Sequence, residues 1–303
     1  MMIRRIVPLA FDSFGVRSMA TFVETDDARI LIDPGVALAP LRYGLGPHFL
    51  EWKRLDKAWE EINRFAEEAD TLVVTHYHYD HHDPYYPELY KGKMVFVKHP
   101  TENINTSQKE RADFYLTVIK GLPKKLRFAD GKNFHIGKTS ISFSKAVCHG
   151  TNPRLGYVTE ISIKSGAEKF LHTSDVECPS LEEQIGFILK EKPDVLFVDG
   201  PMTYMLGYRY SYKSLEISNN NLIRAVKETS LHTLVLDHHF LRDLNYEARI
   251  GPVYEAAEER AVNVVTAAEF LGTKVEMLEA LRKELYAKHG ERRLKRKACS
   301  KKS

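Results

Sequence analysis

The chain has 303 residues, 43% of them hydrophobic, and a formal net charge of +3, which is enough apolar material for one large core or two modest ones. It has no run of about 18 apolar residues and starts on a strand-like segment, which argues against a transmembrane helix and a cleavable signal peptide. Three scattered cysteines, Cys148, Cys178 and Cys299, argue against a disulfide framework, so we expect a cytoplasmic protein without a membrane partner.

The first elements are predicted to be strands. Apolar residues dominate positions 3–10, 20–25 and 28–32, and Asp26-Asp27 between the last two segments favours a hairpin turn. A helix is predicted from Glu51 onward, because apolar residues recur there at steps of three and four. Such a helix would cover one face of a sheet.

The most informative segment follows the apolar run 72–74. It reads His76-Tyr77-His78-Tyr79-Asp80-His81 and places three imidazoles and a carboxylate within six positions. These are ligands that suit zinc and its neighbours. Residues two apart in an extended segment point the same way, so His76 and His78 can hold one ion while Asp80 and His81 reach a second. The competing interpretation is a solvated histidine-rich loop.

Three later strand-like runs also end in potential ligands. Residues 139–147 lead to His149, residues 169–171 lead to Asp175, and residues 233–236 lead to Asp237, His238 and His239. Strand ends that face one edge of a sheet are where folds of this kind gather their chemistry. These runs therefore predict further ligands for the same ions.

Helices are predicted between these strands. One covers residues 103–120, and two capping-box patterns, Ser180 to Glu183 and Thr266 to Glu269, predict the starts of two more. Early hairpins followed by alternating strands and helices indicate two mixed β-sheets packed face to face with helices outside, an αββα four-layer sandwich of the mixed α/β class.

Several other residues near the strand ends have supporting roles in this interpretation. His82 and Asp237 are expected to hydrogen-bond to their neighbours. Asp199, after the strand 195–198, is interpreted as a turn acid that accepts backbone N–H groups. Two tyrosine-rich segments, 41–46 and 204–212, can form a lid or pocket wall, or simply pack on the surface.

These motifs resemble the metallo-β-lactamase superfamily. The matching residues, in order, are Leu31-Ile32-Asp33-Pro34-Gly35, then His76 to His81, His149, Asp175 and His238. More narrowly, His81-His82-Asp83-Pro84 and the segment 235–239 resemble an uncharacterised archaeal branch of predicted metal-dependent hydrolases. The resemblance covers nearly the whole chain and implies the same αββα sandwich.

The resemblance also implies a set of metal ligands. One ion would be bound by His76, His78 and His149, the other by Asp80, His81 and His238, with Asp175 bridging both. Asp33 would not bind metal but would orient the ligand loop through hydrogen bonds. His239 competes with His238; we favour His238 because Leu234-Val235-Leu236-Asp237-His238 repeats the phasing of Leu72-Val73-Val74-Thr75-His76.

The function predicted from these residues is that of a dinuclear hydrolase. Two divalent ions, zinc or alternatively iron or manganese, would share a hydroxide that attacks an ester, lactone, thioester, amide or phosphodiester of a small-molecule substrate. Asp80 and Asp175 would be catalytic, orienting the nucleophile and moving its proton. The chain has neither a Gly-x-Ser-x-Gly elbow nor a phosphate-binding P-loop motif.

Residues 1–289 are predicted to form one domain. Residues 290–303, with seven basic side chains and one glutamate, are predicted to form a disordered basic tail.

Three alternative functions involve the same ions. A nuclease acting on RNA or single-stranded DNA could use that tail to bind nucleic acid. A di-iron redox protein would use the same ligands, and a binding module could use metal only for stability. The oligomeric state remains open.

Overall fold

The first part of the chain forms a six-stranded sheet in the computed structural model, which describes residues 2–290. Strands β1 to β3 pair antiparallel, β3 to β6 pair parallel, and the spatial order follows the chain. The three predicted strands are confirmed to within one residue at either end, and Asp26-Asp27 forms the hairpin turn. The strands of this sheet are β1 (Ile3–Phe11), β2 (Met19–Thr25), β3 (Arg29–Ile32), β4 (Thr71–Val74), β5 (Met94–Val97) and β6 (Lys125–Phe128).

The second part of the chain forms a seven-stranded sheet and a small two-stranded one. The large sheet has the order β15-β14-β13-β12-β11-β8-β7, with parallel pairing from β12 to β15. The short strands β9 and β10 pair antiparallel with each other, and β9 ends at Cys148, directly before His149. The strands are β7 (Asn133–Ile136), β8 (Thr139–Phe143), β9 (Val147–Cys148), β10 (Tyr157–Val158), β11 (Ile161–Ser165), β12 (Glu168–His172), β13 (Val195–Asp199), β14 (Thr233–Asp237) and β15 (Asn263–Val265).

Helices cover the outer face of each sheet. The predicted helices at 51 and 103–120 are present as α1 and α2, and Asn105 caps α2 by accepting the Gln108 N–H. The helices are α1 (Phe49–Glu68), α2 (Thr106–Val118), α3 (Glu182–Glu191), α4 (Tyr212–Glu228), α5 (Tyr246–Arg249), α6 (Gly251–Glu259), α7 (Ala267–Phe270) and α8 (Arg282–His289). None of the helices within residues 2–290 combines the length and apolarity needed to cross a bilayer.

Alternating side chains of the strands create three apolar layers. In β4, Leu72 and Val74 pack against α1 and α2, whereas Val73 faces the other sheet. In β13, Leu196 packs toward α3 and α4, whereas Phe197 faces inward and meets Phe11 of β1 at 6.0 Å between ring centres. Two sheets packed face to face with helices on both outer faces confirm the predicted αββα sandwich.

The two capping-box predictions had different outcomes. Thr266 does cap α7, with Glu269 accepting the Thr266 N–H at 2.8 Å. The prediction that Ser180 is the N-cap was wrong: the N-cap is Leu181, one residue later, and the Gln184 side chain accepts the Leu181 N–H. The helix starts where Gln184 can also donate to carbonyl groups beside His149, a tertiary constraint that the local pattern does not contain.

The segment before and within α8 packs back on the first part of the chain. Arg282 is fully buried and forms a two-pronged ion pair with buried Glu51 of α1. Arg17 and Glu279 form a second such pair. Of the predicted basic tail and its Cys299, everything from residue 291 onward lies outside the described residues.

Candidate metal centre

The histidine-rich loop begins directly after β4 and turns tightly. The N–H groups of His81 and His82 both donate to the His78 carbonyl, at 3.0 and 3.2 Å. Gly35, from the loop after β3, lies against this turn, and a Cβ at Gly35 would be 2.3 Å from the His82 backbone nitrogen. Because only glycine lacks a Cβ, Gly35 allows the loop after β3 to pack directly against the backbone of the histidine-rich loop.

Asp175 lies at the centre of the site. It follows β12 after a turn in which Ser174 has a φ of 59°. One carboxylate oxygen, Oδ2, lies within 4.0 Å of nitrogen atoms from five imidazoles: His149 Nε2 at 2.7 Å, His81 Nε2 at 3.6 Å, His238 Nε2 at 3.7 Å, His76 Nε2 at 3.8 Å and His78 Nδ1 at 4.0 Å.

Two candidate ligand groups contain four residues each, and they share Asp175. Within each group, one ligand atom per residue lies within 4.8 Å of the others. The first group contains His76, His78, His149 and Asp175, and the second contains Asp80, His81, His238 and Asp175. The structure therefore brings together, from four separate segments of sequence, the residues that were expected to surround two ions.

The outer nitrogens of three inward-facing imidazoles have hydrogen-bond partners. His81 Nδ1 lies 2.9 Å from Asp33 Oδ2, and His238 Nδ1 lies 2.8 Å from Asp12 Oδ2. His76 Nδ1 lies within 3.4 Å of the hydroxyls of Thr75 and Ser174. Each bond fixes the ring so that Nε2 points toward Asp175, the arrangement by which outer partners orient metal-binding histidines.

The unpaired atoms and the donor chemistry fit a bound cation. Within residues 2–290, the buried Nε2 atoms of His76 and His81 have no hydrogen-bond partner, and leaving such groups unpaired costs about 1–3 kcal/mol each. A cation would remove that cost. Imidazole nitrogen and carboxylate oxygen are suitable ligands for zinc, iron and manganese.

The pKa values of two candidate ligands, His76 and His81, are shifted in opposite directions. Burial, together with the nearby His81 and His78 imidazoles, holds the pKa of His76 well below its ordinary value. His76 is therefore neutral and its lone pair is available to a metal. Burial opposes protonation of His81 too, but the Asp175 and Asp33 carboxylates outweigh it and raise the pKa of His81 well above its ordinary value.

His238 and His239 occupy different positions. His238 belongs to the second ligand group, whereas His239 forms a separate three-residue group with Asp175 and Asp199. His239 Nδ1 lies 3.1 Å from both oxygens of Asp199 and 3.1 Å from Asp175 Oδ1. Asp199 is also the backbone acceptor expected from the sequence, because it accepts the N–H groups of His239 and Glu177.

Other expectations concern the surroundings of these ligands. His82 Nδ1 lies 3.0 Å from the His78 carbonyl oxygen, and Asp237 accepts the His238 N–H at 2.7 Å, as their predicted supporting roles require. Cys148 and Cys178 are buried free thiols outside both ligand groups. Of the tyrosine-rich segments, Tyr204 reaches the surroundings of the site, with its ring parallel to that of His239 and 6.3 Å away between ring centres.

Three residues at the site were not predicted from the sequence. Asp12 follows β1 and bonds both His238 and Arg242, whose Nε donates at 2.8 Å. Asp12 has a usable signal, since it is an acid at the end of a strand, like Asp33. Glu177 lies with Oε1 3.7 Å from His149 Nδ1, and neither Glu177 nor Arg242 belongs to a recognisable motif.

Comparisons with solved structures find the same architecture. Isothiocyanate hydrolase from Delia radicum gut bacteria aligns with a TM-score of 0.51 and 15% identity over 82% of this chain and 94% of that chain. The metallo-β-lactamase fold protein YhfI from Bacillus subtilis aligns with a TM-score of 0.49 and 17% identity over 82% and 88% of the two chains. The likeness to the isothiocyanate hydrolase shows a shared fold, and the αββα layers of this chain are those that the resemblance seen in the sequence implied.

Comparisons with curated proteins find much closer relatives, although no family model matches the chain. The UPF0282 protein of Korarchaeum cryptofilum is 55% identical over 283 residues, which cover 93% of this chain and 94% of the relative. The UPF0282 protein of Sulfurisphaera tokodaii is 48% identical over 288 residues, covering 94% and 93%. The chain therefore belongs to the UPF0282 family of archaeal proteins.

Proposed function

We propose that the protein is a dinuclear metal-dependent hydrolase that cleaves an ester-like or phosphodiester bond. The observation that carries the proposal is the pair of four-residue ligand groups that share Asp175. His76, His78 and His149 would hold one ion, and Asp80, His81 and His238 would hold the other. Zinc suits both groups, which contain only nitrogen and oxygen donors.

Bound divalent ions would supply Lewis acidity and lower the pKa of a water molecule toward neutrality. The residues of the chain would supply the positioning. Asp33 and Asp12 keep the His81 and His238 rings in place. Asp175 has a side chain 3% exposed, with both oxygens near imidazoles, whereas the Asp80 side chain is 19% exposed. We therefore assign Asp175 to joining the two ligand groups and Asp80 to accepting the proton of the attacking water.

Metal analysis and hydrolysis assays test this proposal together. Protein purified without chelator and equilibrated with zinc should hold two equivalents and should hydrolyse generic 4-nitrophenyl esters or bis(4-nitrophenyl) phosphate. His76→Ala should lose at least one equivalent and the activity, because it removes a buried ligand of the first group. The exposed His135 of β7 provides the control, since His135→Ala leaves both groups intact. Metal content well below one equivalent, unchanged by His76→Ala, would end the proposal.

The same donors also bind iron, so the metal content distinguishes the hydrolase from the di-iron redox alternative. Purification from iron-supplemented and zinc-supplemented cultures gives two samples of the same chain. If the iron sample alone is stable and absorbs visible light in a redox-dependent manner, while the zinc sample hydrolyses nothing, the redox alternative replaces the proposal.

A further inference from the structure

A row of aromatic and cationic side chains leads away from the candidate metal centre. His239 contacts Asp175, and the Tyr204 ring stacks parallel to His239 at 4° between planes. The Arg42 guanidinium lies 4.7 Å from the centre of the Tyr204 ring and equally far from that of Tyr43. On Tyr43 lies a second cation, Lys283, also at 4.7 Å. We call the four residues beyond His239 the cationic rim: Arg42, Tyr43, Tyr204 and Lys283.

The charges of the cationic rim are not neutralised by the protein. Among residues 2–290, neither Arg42 nor Lys283 forms an ion pair with a carboxylate. The arginines around them do: Arg17 pairs with Glu279, and Arg242 pairs with Asp12. Two cations without carboxylate partners therefore leave a local positive charge on the Tyr43 ring.

The guanidinium of Arg42 is also held in place. Its Nη2 donates to the Arg242 carbonyl at 3.0 Å, which ties the loop after β3 to the turn that carries His238 and His239. Within the described residues its Nη1 has no hydrogen-bond partner. An arginine fixed between two rings loses little further entropy when it binds an anion, and its planar geometry matches a carboxylate or phosphate.

A purely structural role explains only part of this arrangement. If Arg42 only held the two loops together, its Nη2 bond to the Arg242 carbonyl would be explained, but a neutral donor could make that bond as well. That role does not account for the free Nη1, or for the second unpaired cation on Tyr43. The Tyr204 hydroxyl likewise has no hydrogen-bond partner within residues 2–290. These groups form a continuous series of contacts from Asp175 through His239 and Tyr204 to Arg42 and Tyr43.

We propose that the cationic rim binds a second anionic group of the substrate, a carboxylate or phosphate joined to the reacting bond by a spacer that runs past Tyr204. This inference rests on the proposed hydrolase function and narrows its substrate class to anionic esters or phosphodiesters. Arg42 would be a specificity-determining residue that takes no part in the bond cleavage itself.

Matched esters test the inference on the full zinc-loaded chain. The 4-nitrophenyl esters of hexanoate, adipate and 5-phosphonopentanoate share a leaving group and a four-methylene spacer and differ at the far end, which is a methyl, a carboxylate or a phosphonate. We expect the wild type to prefer at least one anionic ester about tenfold in kcat/KM, equivalent to about 1.4 kcal/mol. A preference for the adipate ester would identify a carboxylate as the group that binds, and a preference for the phosphonate ester would identify a phosphate.

Variants locate the effect at the cationic rim. Arg42→Gln should abolish the preference by raising KM for the anionic ester, with hexanoate ester turnover unchanged within twofold, and Arg42→Lys should restore part of it. Arg64 of α1 offers a matched control, because it also lies over an aromatic ring, Phe65, at 4.2 Å. Arg64→Gln removes the same charge and should keep the preference.

A calorimetric comparison separates this inference from the proposed function. Adipate should bind the zinc-loaded wild type more tightly than hexanoate, and Arg42→Gln should remove the difference. If that holds while no ester is hydrolysed, the anion site stands and the hydrolase proposal falls. If esters are hydrolysed without charge preference, or the preference survives Arg42→Gln, the inference is overturned. Equal loss on neutral and anionic esters would show that Arg42 is only structural.

Discussion

Asp33→Asn should disable one metal position and spare the other. The Asp33 carboxylate accepts the Thr75 N–H at 2.8 Å, the Thr75 hydroxyl at 2.7 Å and His81 Nδ1 at 2.9 Å. In the variant, an amide NH2 would face His81 Nδ1, so His81 would have to move its own proton to Nε2. That proton would then point at Asp175 and block the nitrogen that a metal needs.

The size of the effect follows from the position of Asp33. The residue is fully buried and its carboxylate bonds His81 Nδ1, so the change acts on the metal position through the orientation of His81. Loss of such an outer partner typically weakens metal binding 10- to 100-fold, which corresponds to about 1.4–2.7 kcal/mol. The φ of Asp33 is 50°, a conformation that asparagine tolerates as well as aspartate does, so the backbone should not change.

Metal content at controlled free zinc measures the effect. Wild type and variant are dialysed against a series of zinc buffers and analysed by mass spectrometry. We expect the variant to keep about one equivalent over a range of free zinc where the wild type keeps two. Asp113→Asn, on the exposed face of α2, serves as the control. Retention of both ions at wild-type affinity, or equal loss of both in a folded variant, would refute the reasoning.

Three further predictions concern stability and ligand identity. Burial lowers the pKa of His172, whose ring nitrogens both bond backbone groups, to about 4. Because this is below the unfolded value of about 6.5, its contribution is present above pH 6.5 and lost toward pH 4; urea titrations should show the wild type losing about 3 kcal/mol more than His172→Gln. Arg282→Met leaves Glu51 buried without its partner and should cost about 3–5 kcal/mol in chemical denaturation, and adding Glu51→Leu should recover much of it. His238→Asn should lose one zinc equivalent, whereas His239→Asn should keep both in the same metal analysis.

Each of these has an outcome that contradicts it. Parallel pH profiles for wild type and His172→Gln would mean that the histidine does not carry the acid sensitivity. A loss below 1 kcal/mol for Arg282→Met would place its pair with Glu51 among ordinary surface ion pairs. Loss of zinc from His239→Asn, with retention in His238→Asn, would exchange the roles assigned to the two histidines.

The local features of the fold were predictable because each depends on residues close in sequence. The hairpin at Asp26-Asp27 and the helix at 51 follow from turn chemistry and apolar periodicity. The dense loop from His76 to His81 indicates metal by composition alone. Its later partners, His149 and Asp175, could be proposed because each follows a strand-like run, and strands pack their ends along shared edges.

The outer hydrogen-bond partners were harder to predict because they depend on loop paths. Asp12 reaches His238 across 226 positions of sequence, and nothing near Asp12 encodes that approach. Glu177 is brought beside His149 by a turn in which it and Cys178 both have positive φ angles. Ser180 shows the opposite error: a plausible local cap was overridden because Gln184 is used both at the start of α3 and beside His149.

Each candidate ligand group takes residues from both large halves of the sandwich. His76, His78, Asp80 and His81 follow a strand of the first sheet, whereas His149, Asp175 and His238 come from the part of the chain that builds the second. Neither half alone can supply four ligands to an ion. A bound metal pair would therefore link the two halves of the sandwich. Any recombination of halves between distant relatives would have to preserve the distances between the ligands of one half and those of the other.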